Sequence, residues 1–352
     1  MMQISPETQL FIREHSSDDV RVLALQAKKY PDIDMPTAIT QIAGRKVAAE
    51  KIPSWWEIEK IWYPKHLSLE QCSSEITARY KARLLQGDSL TDLTGGFGID
   101  CSFLATGFKS ATYVERQEEL CEIAAHNFPV LNLNHINIKN EDGVTYLQAM
   151  SPVDCLFLDP ARRNEHGGKT VAISDCEPNV AELEELLLQK ANRVMIKLSP
   201  MLDLSLALKE LKQTQEVHIL SVNNECKELL ILLGQTSPAE ISIHCVNLFT
   251  KGTQKEQHFV FTREQEQCSE CTYTDSLETY LYEPNASLLK AGAFRSIAAA
   301  YPVRKLHPNS HLYTSDTFIE NFPGRIFRIV NQCSFNKKEV KENLADLKKA
   351  NV

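Results

Sequence analysis

The sequence predicts an α/β protein in which a doubly wound, mostly parallel sheet follows an N-terminal group of helices and precedes a small α+β module. Three observations predict this class. Short apolar stretches alternate with helical stretches from Asp88 onward, glycines follow the first apolar stretch, and the last two apolar stretches are separated by only a short polar turn. Alternating strands and helices are typical of parallel sheets that are covered by helices on both faces.

Six apolar stretches are predicted strands, and helical stretches lie between them. The strands are 90–93, 111–114, 136–138, 153–158, 194–198 and 217–222, and the helices are 102–106, 117–127, 144–150, 180–190 and 204–212. A further strand, 229–233, follows 217–222 after a turn at 223–226. Because a parallel crossover needs a dozen or more residues, this last strand is predicted to return antiparallel and to close the sheet with a hairpin.

The segments on either side of the sheet differ from it in pattern. The N-terminal part is predicted to be helical, with one helix beginning near Pro36. The apolar stripe of that helix is Ile39, Ile42, Ala43 and Val47. The C-terminal part is predicted to contain a hairpin (241–250 and 258–262), a helix (286–300) and a charged last helix. The predicted domains are therefore 1–86, 87–236 and 237–352.

The composition excludes several classes of protein. The chain has 352 residues, of which 43% are hydrophobic and 24% are charged, and its mean hydropathy is -0.27. No apolar run approaches the ~18 residues that a membrane helix needs, and the first residues lack the pattern of a signal peptide. Most of the ten cysteines lie in apolar stretches. We therefore expect a reduced, cytoplasmic protein without a disulfide framework or a membrane span.

The charge is unevenly distributed along the chain. The net charge is -8, but residues 285–352 contain eleven Lys and Arg against five acidic residues, so this part carries +6 and the remainder -14. A basic module on an acidic body predicts a polyanionic partner such as RNA. The alternative is an ordinary solvated helix face, because 336–349 alone contains five of the eleven basic residues.

The most informative segment is a glycine-rich bend after the first strand. Asp92 ends that strand, and glycines lead from it toward the next helix. Glycine allows unusual backbone dihedral angles and lets the backbone approach a ligand without a Cβ in the way, and the amides at a helix N-terminus then face that ligand. The predicted ligand-binding residues of the bend are Asp92, Thr94, Gly95, Gly96, Gly98 and Asp100.

Acidic residues also follow the next three strands. Glu115 ends the second strand, where a carboxylate can accept both ribose hydroxyls of a nucleoside. Asp142 follows the third strand, from which it could reach the exocyclic amine of an adenine. The fourth strand ends in Asp159-Pro160-Ala161-Arg162. Because open α/β sheets bind ligands at the carboxyl ends of their strands, these residues are predicted to line one site.

A nicotinamide dinucleotide site is the competing hypothesis for this bend. Gly96-Phe97-Gly98 fits the first half of the dinucleotide fingerprint, but Cys101 stands at its third glycine position. Asp92 would place a carboxylate where a pyrophosphate otherwise lies. That charge repels phosphate and attracts a cofactor that carries a cationic amino acid. A cofactor of this kind is therefore favoured over a dinucleotide.

The residues from Asp92 to Asp100, Glu115 and the Asp159-Pro160 turn resemble the class I S-adenosylmethionine-dependent methyltransferases. More closely, the chain is similar to a bacterial family of such enzymes with a ferredoxin-like part and a THUMP-like part at the C-terminus. The segments of this closer match are 41–46, 71–75, 159–163, 197–200, 225–228 and 282–285. Two departures are Thr94, which replaces the usual first glycine as in some ribosomal RNA guanine methyltransferases, and a THUMP-like part that is only about half present after Phe322.

The resemblance implies a Rossmann-like sheet, S-adenosylmethionine as the cofactor, and a catalytic segment at Asp159, Pro160 and Arg162. Asp159 and nearby carbonyls would lie beside the methyl group and accept hydrogen bonds from an exocyclic amine, which frees its lone pair. Arg162 could stack on a base, grip a phosphate or merely pair with an acid. The predicted function is methylation of a base in structured ribosomal or transfer RNA. The alternatives are a small-molecule or protein methyltransferase and a non-catalytic RNA-binding protein.

Three further segments have weaker functional patterns. Ser73, Glu75 and Lys81 precede the first strand and either touch the cofactor or cap and solvate a helix. Residues 164–168, including His166, are predicted to form a loop that could close over substrate. The lone Cys268-x-x-Cys271 pair has only His258 nearby in the sequence as a further potential ligand. Because structural zinc needs four ligands, no metal site is predicted.

Overall fold

The structure, a computed structural model, describes residues 4–162, 172–236, 238–334 and 336–345. Its α helices are α1 Pro6–Glu14, α2 Val20–Leu25, α3 Met35–Lys51, α4 Pro53–Trp56, α5 His66–Gln71, α6 Glu75–Ala82, α7 Ile99–Ala105, α8 Glu118–Val130, α9 Gly143–Ala149, α10 Val180–Lys190, α11 Leu204–Glu210, α12 Arg263–Cys268, α13 Ala286–Ala291, α14 Phe294–Ala300 and α15 Lys337–Asn343. Its strands are β1 Ser89–Asp92, β2 Ser110–Glu115, β3 Ile136–Asn140, β4 Val153–Leu158, β5 Ala161–Arg162, β6 Cys176–Glu177, β7 Ala191–Leu198, β8 Thr214–Val222, β9 Glu225–Gly234, β10 Ser242–Leu248, β11 Glu256–Phe261, β12 Tyr280–Pro284, β13 Arg304–Lys305, β14 Tyr313–Ser315 and β15 Gly324–Arg328.

Helices α1 to α6 precede the sheet, as the sequence predicts. Asp34 caps α3 by accepting a hydrogen bond from the Thr37 N–H at 3.2 Å, and Pro36 lies in the first turn of this helix. The predicted apolar stripe of α3 is displaced. Ile42 is buried as expected, but Ala38 and Ala48 are buried as well, and the other predicted positions are half-buried. The buried face is broader because α3 packs against α1 and α2 as well as α4 and α5.

The central sheet has nine strands in the order β11-β10-β8-β9-β7-β4-β1-β2-β3. The six predicted strands are β1, β2, β3, β4, β7 and β8, and the neighbouring pairs among them are parallel. Strand β9 lies antiparallel between β7 and β8, which confirms the predicted hairpin. Its turn residues Asn223 and Asn224 both have positive φ, 49° and 68°. Two such residues fit the short turn that matches strand twist in a hairpin.

The hairpin formed by β10 and β11 belongs to the central sheet. The sequence predicts this hairpin but places it in the C-terminal module, and that placement is wrong. Strand β10 pairs with β8 in parallel, from Ser242 beside Glu216 to Leu248 beside Val222, and β11 forms the edge. An unpaired β8 would expose a row of backbone N–H and C=O groups, and β10 satisfies them. The sheet therefore continues beyond residue 236.

Helices cover both faces of the sheet. Helices α9, α10, α11 and α13 pack on one face, around a core that includes Leu156, Ile196 and Ile231. Helices α6, α7 and α8 pack on the other face, around a core that includes Tyr113 and Phe157. Burial of each such side chain contributes roughly 1.5–3 kcal/mol. The two cores fix the strand ends, and therefore fix the positions of the residues that follow β1, β2 and β4.

The C-terminal module contains an antiparallel sheet in the order β13-β14-β12-β15. The predicted helix 286–300 is divided into α13 and α14, because Gly292 ends α13 with a φ of 76°. The Tyr313 hydroxyl donates to the Phe294 carbonyl at 2.8 Å and joins the sheet to α14. Within the described residues, no helix is long and apolar enough to span a membrane.

Candidate active site

The predicted site residues meet at the carboxyl ends of β1, β2 and β4. Asp92 ends β1 and lies beside Tyr113 of β2 and Phe157 of β4. Two hydrogen bonds, each from a backbone N–H to a side-chain oxygen, connect the three strand ends. The Gly96 N–H donates to Glu115 Oε2 at 2.9 Å, and the Asp159 N–H donates to Thr94 Oγ1 at 2.6 Å. The side chains therefore line one edge, at the point where the strand order reverses between β1 and β4.

The glycines of the bend are required by space and by conformation. A Cβ on Gly95 would lie 2.3 Å from Cε2 of Tyr113, so no larger residue fits there. Gly96 and Gly98 have φ values of 54° and 87°, which residues that carry a Cβ rarely adopt. The Tyr113 hydroxyl donates to the Gly96 carbonyl at 2.5 Å and holds the bend against β2. These contacts fix the backbone of the bend between β1 and α7.

Asp92 has one carboxylate oxygen without a hydrogen-bond partner. Its Oδ1 accepts from the Thr94 N–H at 2.9 Å, while Oδ2 is buried and unpartnered. Burial, with smaller contributions from the charges of Asp100 and Asp159, raises the pKa of Asp92 to about 8. A cation placed beside Oδ2 would favour the ionised carboxylate. The site thus fits a ligand with a sulfonium or ammonium group better than one with a phosphate.

Asp100 forms a buried ion-pair network instead of facing open space. Its Oδ2 accepts from Ser73 Oγ at 2.7 Å and from Lys197 Nζ at 3.1 Å, and its Oδ1 lies 3.1 Å from Lys81 Nζ. Burial alone would raise the pKa of Asp100, but Lys197, Lys81 and the Ser73 hydroxyl outweigh it and hold the pKa well below its usual value. Asp100 is therefore ionised, and it anchors the first turn of α7.

Lys197 joins this network to the exposed end of β4. Its Nζ lies 2.6 Å from Asp159 Oδ2 and 3.0 Å from Ser73 Oγ. Burial would lower the pKa of Lys197, but the charges of Asp100, Asp159 and Glu228 outweigh it and raise the pKa well above its usual value. Lys197 thus remains protonated and cannot accept a proton. Its role is to position Asp159, whose side chain is 38% exposed.

Lys81 extends the network to α6 and β9. Its side chain is fully buried, and its Nζ lies 2.7 and 2.9 Å from the two carboxylate oxygens of Glu228 and 3.1 Å from Ser73 Oγ. Ser73 and Lys81 thus hold Asp100, which is a role that the sequence analysis does not assign to them. Glu75 lies apart from them and accepts hydrogen bonds from the Ser54 N–H and Arg79.

Glu115 and Asp142 both accept hydrogen bonds from nearby backbone amides. Glu115 Oε2 accepts from Gly96 and Oε1 from the Gln117 N–H at 2.8 Å. Asp142 is exposed and caps α9, with Oδ1 accepting from the N–H groups of Val144 and Thr145. Since a carboxylate has about four lone-pair sites, each of the two acids has capacity for a further donor.

The segment after Asp159 leaves the sheet edge. Pro160 is buried, and Arg162 pairs through its backbone with Cys176 in the short β5–β6 ladder. The side chain of Arg162, Arg163 and the predicted loop 164–168 with His166 lie outside the described residues. Asp159 is thus the acidic side chain of the network that the structure shows open to solvent.

A solved structure decides the family. This structure, a predicted methyltransferase from Porphyromonas gingivalis W83, is 34% identical to the chain, covers 98% of it and 87% of its own length, and superposes with a TM-score of 0.84. The chain belongs to this methyltransferase family. The methyltransferase also has the strand order and the antiparallel β9 of the class I fold. Residues 280–323 match a ferredoxin-like domain family, which confirms the predicted ferredoxin-like part.

Other solved structures match only part of this methyltransferase, at low sequence identity. A modification subunit of a predicted type I restriction enzyme from Vibrio vulnificus YJ016 is 12% identical, with a TM-score of 0.39 and coverage of 57% of this chain and 56% of its own. An rRNA methylase from Streptococcus thermophilus is 14% identical, with a TM-score of 0.33 and coverage of 45% and 93%. No curated protein matches the chain significantly.

Proposed function

We propose that this methyltransferase binds S-adenosylmethionine at the bend between β1 and α7 and methylates a base of structured RNA. The observation that supports it most directly is the buried, unpartnered Oδ2 of Asp92. A buried carboxylate oxygen without a partner is costly. A cationic ligand offsets that cost, and the amino-acid end of this cofactor has an ammonium group beside a sulfonium.

Residues near Asp92 would bind the other parts of the cofactor. Glu115 would accept the ribose hydroxyls, and Asp142 would accept the adenine amine. Thr94, Gly95, Gly96 and Gly98 would let the backbone of the bend lie close to the ligand. The bound cofactor supplies an electrophilic methyl group on a sulfonium, so the protein mainly has to orient the acceptor.

Asp159 is proposed to orient that acceptor. Its exposed carboxylate is fixed by the 2.6 Å contact with Lys197 Nζ, which supports a defined direction for its lone pairs. A carboxylate that accepts hydrogen bonds from an exocyclic amine localises the lone pair of the nitrogen for attack. Asp159, rather than the protonated Lys197, is then the group that receives the proton of the amine. The buried Pro160 would keep the following backbone rigid.

The C-terminal module supports RNA as the substrate class. Strand β15 is an edge strand with Arg325, Phe327 and Arg328 exposed, and the Arg325 guanidinium lies 5.8 Å from the Phe327 ring centroid. Exposed arginines beside an aromatic ring are typical of surfaces on which bases stack. The exposed lysines of α15, Lys337 and Lys338, add positive charge close in sequence. We propose that this surface and the predicted THUMP-like residues after Phe322 hold the RNA.

Nucleoside mass spectrometry of total stable RNA tests this function. We expect a strain without the gene to lack one methylated nucleoside, and the wild-type gene to restore it. Asp159→Ala should fail to restore it, whereas Asp88→Ala, which removes a surface acid paired with Lys109, should succeed. An RNA profile that is identical with and without the gene would exclude RNA as the acceptor.

A further inference from the structure

A cluster of histidines lies on the central sheet, away from the candidate active site. It consists of His218 of β8, His244 of β10 and His258 of β11, together with Glu216. His218 pairs directly with His244 across the strands, and their rings stack with centroids 4.3 Å apart. The rings of His244 and His258 stack at 5.3 Å, with Nδ1 of the former 3.1 Å from Nε2 of the latter. We call these four residues the histidine cluster.

The donor atoms of the histidine cluster converge. Glu216 Oε2 lies 3.3 Å from His218 Nε2. One donor atom each from Glu216, His218 and His244 lies within 4.8 Å of the others, and among the described residues this is the one group of three potential ligands so arranged. His218 is only 3% exposed. Three imidazoles and a carboxylate thus share one sheet face, which runs from the buried His218 to the exposed His258 on the edge strand.

Tyr80 of α6 fixes the ring of His218 from the other side. Its hydroxyl lies 2.8 Å from His218 Nδ1. The hydroxyl can accept a hydrogen bond from Nδ1–H or donate one to Nδ1, according to the tautomer of the ring. With the proton on Nδ1, the lone pair of Nε2 points toward Glu216. In the other tautomer Nε2–H donates to Glu216 Oε2 at 3.3 Å, and a bound cation would take the place of that proton between the two atoms.

We propose that the histidine cluster binds a divalent transition-metal ion, for which Zn²⁺ is the best match. Imidazole nitrogens with one carboxylate oxygen are a common donor set for Zn²⁺, and the exposed His258 on the edge strand is available as a fourth ligand. Zn–N bonds of about 2.0–2.1 Å in a tetrahedral site place ligand atoms about 3.3–3.5 Å apart, so the side chains would move inward by about 1 Å. Tyr80 would then act as the outer-shell partner that orients a ligating histidine.

The expected role of this ion is structural. His218 lies four residues before the end of β8, whereas the candidate active site is at the carboxyl ends of the strands. The ion would tie the edge strands β10 and β11 to β8 and, through Tyr80, to α6. The next residue of α6 is Lys81, which pairs with Asp100. Metal binding would therefore stabilise the sheet edge and the helix that supports the active-site network.

Metal titration of the untagged full chain tests the proposal, because a histidine tag would itself bind the ion. We expect one Zn²⁺ per chain with a Kd of about 1 µM or tighter by calorimetry, and Co²⁺ in its place should give the visible absorption of a tetrahedral site. His244→Gln should weaken Zn²⁺ binding by at least about tenfold, since even outer-shell changes cost about 10–100-fold. Tyr80→Phe, which keeps the ring, should weaken it by about tenfold.

His126→Gln is the matched control. His126 stacks on Trp62 far along the chain from the cluster and should be dispensable for Zn²⁺ binding. Zn²⁺ should raise the Tm of the wild type and of His126→Gln but not that of His244→Gln. If His244→Gln does not fold, His258→Gln, at the sheet edge, replaces it. The proposal is wrong if the wild type binds no Zn²⁺, or if the folded cluster variant binds it as tightly as the wild type.

Discussion

Asp92 is expected to destabilise the fold of the ligand-free protein and to contribute to binding of a cationic ligand. Its Oδ2 is buried without a partner, and its pKa is raised to about 8, chiefly by burial. At neutral pH the carboxyl is therefore mostly protonated. A cationic ligand binds best to the ionised form, so binding and loss of the Asp92 proton are coupled.

This coupling predicts a pH-dependent affinity for S-adenosylmethionine. Because the pKa lies above neutrality, the affinity should rise with pH and level off above about pH 8, with a gain of about tenfold between about pH 7 and 9. Calorimetry in buffers of different ionisation enthalpy should detect up to about one proton released at pH 7. Asp92→Asn should bind weakly and without this pH dependence. An affinity that is independent of pH, with no proton released, would contradict the assignment.

Lys197 is the second residue with a specific expected effect. Its cation compensates Asp100 and Asp159 together, so Lys197→Met leaves an uncompensated buried charge. Breaking a buried ion pair in this way costs about 3–5 kcal/mol in the free energy of unfolding. The pKa of Asp100 is held low in the folded protein, so this contribution is present above the pKa of an unfolded Asp, about 4, and is lost as the pH falls further below it.

Urea unfolding at neutral and acidic pH measures this contribution. We expect Lys197→Met to be much less stable than the wild type at pH 7, and the difference to narrow below about pH 4. Lys109→Met is the control, since it breaks the exposed pair with Asp88 and should have little effect at either pH. Equal stability of Lys197→Met and the wild type at pH 7 would show that the network does not support the fold.

At the scale of the element, the bend and the strands could be predicted because their patterns are local. The pattern of an acid, glycines and a helix start takes up only nine residues, 92–100. The observed β1 ends at its first residue, and α7 begins at Ile99. The network of Lys81, Asp100, Lys197 and Glu228 could not be predicted in this way. Its members lie on α6, α7, β7 and β9, and nothing in the sequence shows that Asp100, which is predicted as a ligand-binding residue, pairs with the lysines. Only their convergence around Ser73 distinguishes them.

The bend itself gives a prediction about glycine. Gly95→Ala places a Cβ 2.3 Å from the ring of Tyr113, so the bend has to shift. We expect a loss of about 1–3 kcal/mol in stability, as for other overpacked sites, and a loss of S-adenosylmethionine binding. Gly107→Ala is the matched control, because its Cβ would meet only the Leu104 carbonyl at 3.7 Å. Thermal unfolding and calorimetry of both variants test this, and retained binding by Gly95→Ala would refute a tight fit at the bend.

At the scale of the whole molecule, the sequence predicts the layers but not how the parts join. The β10–β11 hairpin is recognisable from its own residues. Nothing local indicates that it pairs with β8, because that pairing depends on β9 lying between β7 and β8 and leaving the far side of β8 free. Edge pairing of this kind is decided by backbone groups, which every residue has. The same addition aligns His244 with His218 and creates the histidine cluster.

The charge asymmetry of the whole chain predicts how RNA binding depends on salt. Residues 285–352 carry +6 against -14 for the rest, so the basic module should contact phosphates while the acidic body repels them. For single-stranded segments the slope of log K against log salt is about -0.7 for each phosphate neutralised. The variant Arg328→Gln/Lys337→Gln/Lys338→Gln should bind structured RNA more weakly at low salt, with a slope reduced by about 2.

Filter binding at several salt concentrations measures this slope, with Lys60→Gln as the control because Lys60 is an exposed lysine in the N-terminal helical part. The control should keep the wild-type slope, since loss of one charge outside the basic module removes no phosphate contact. S-adenosylmethionine binding should be unchanged in the triple variant, because its three positions lie outside the bend. If the triple variant and the wild type have the same slope, the basic residues form a solvated face and the proposed RNA surface is wrong.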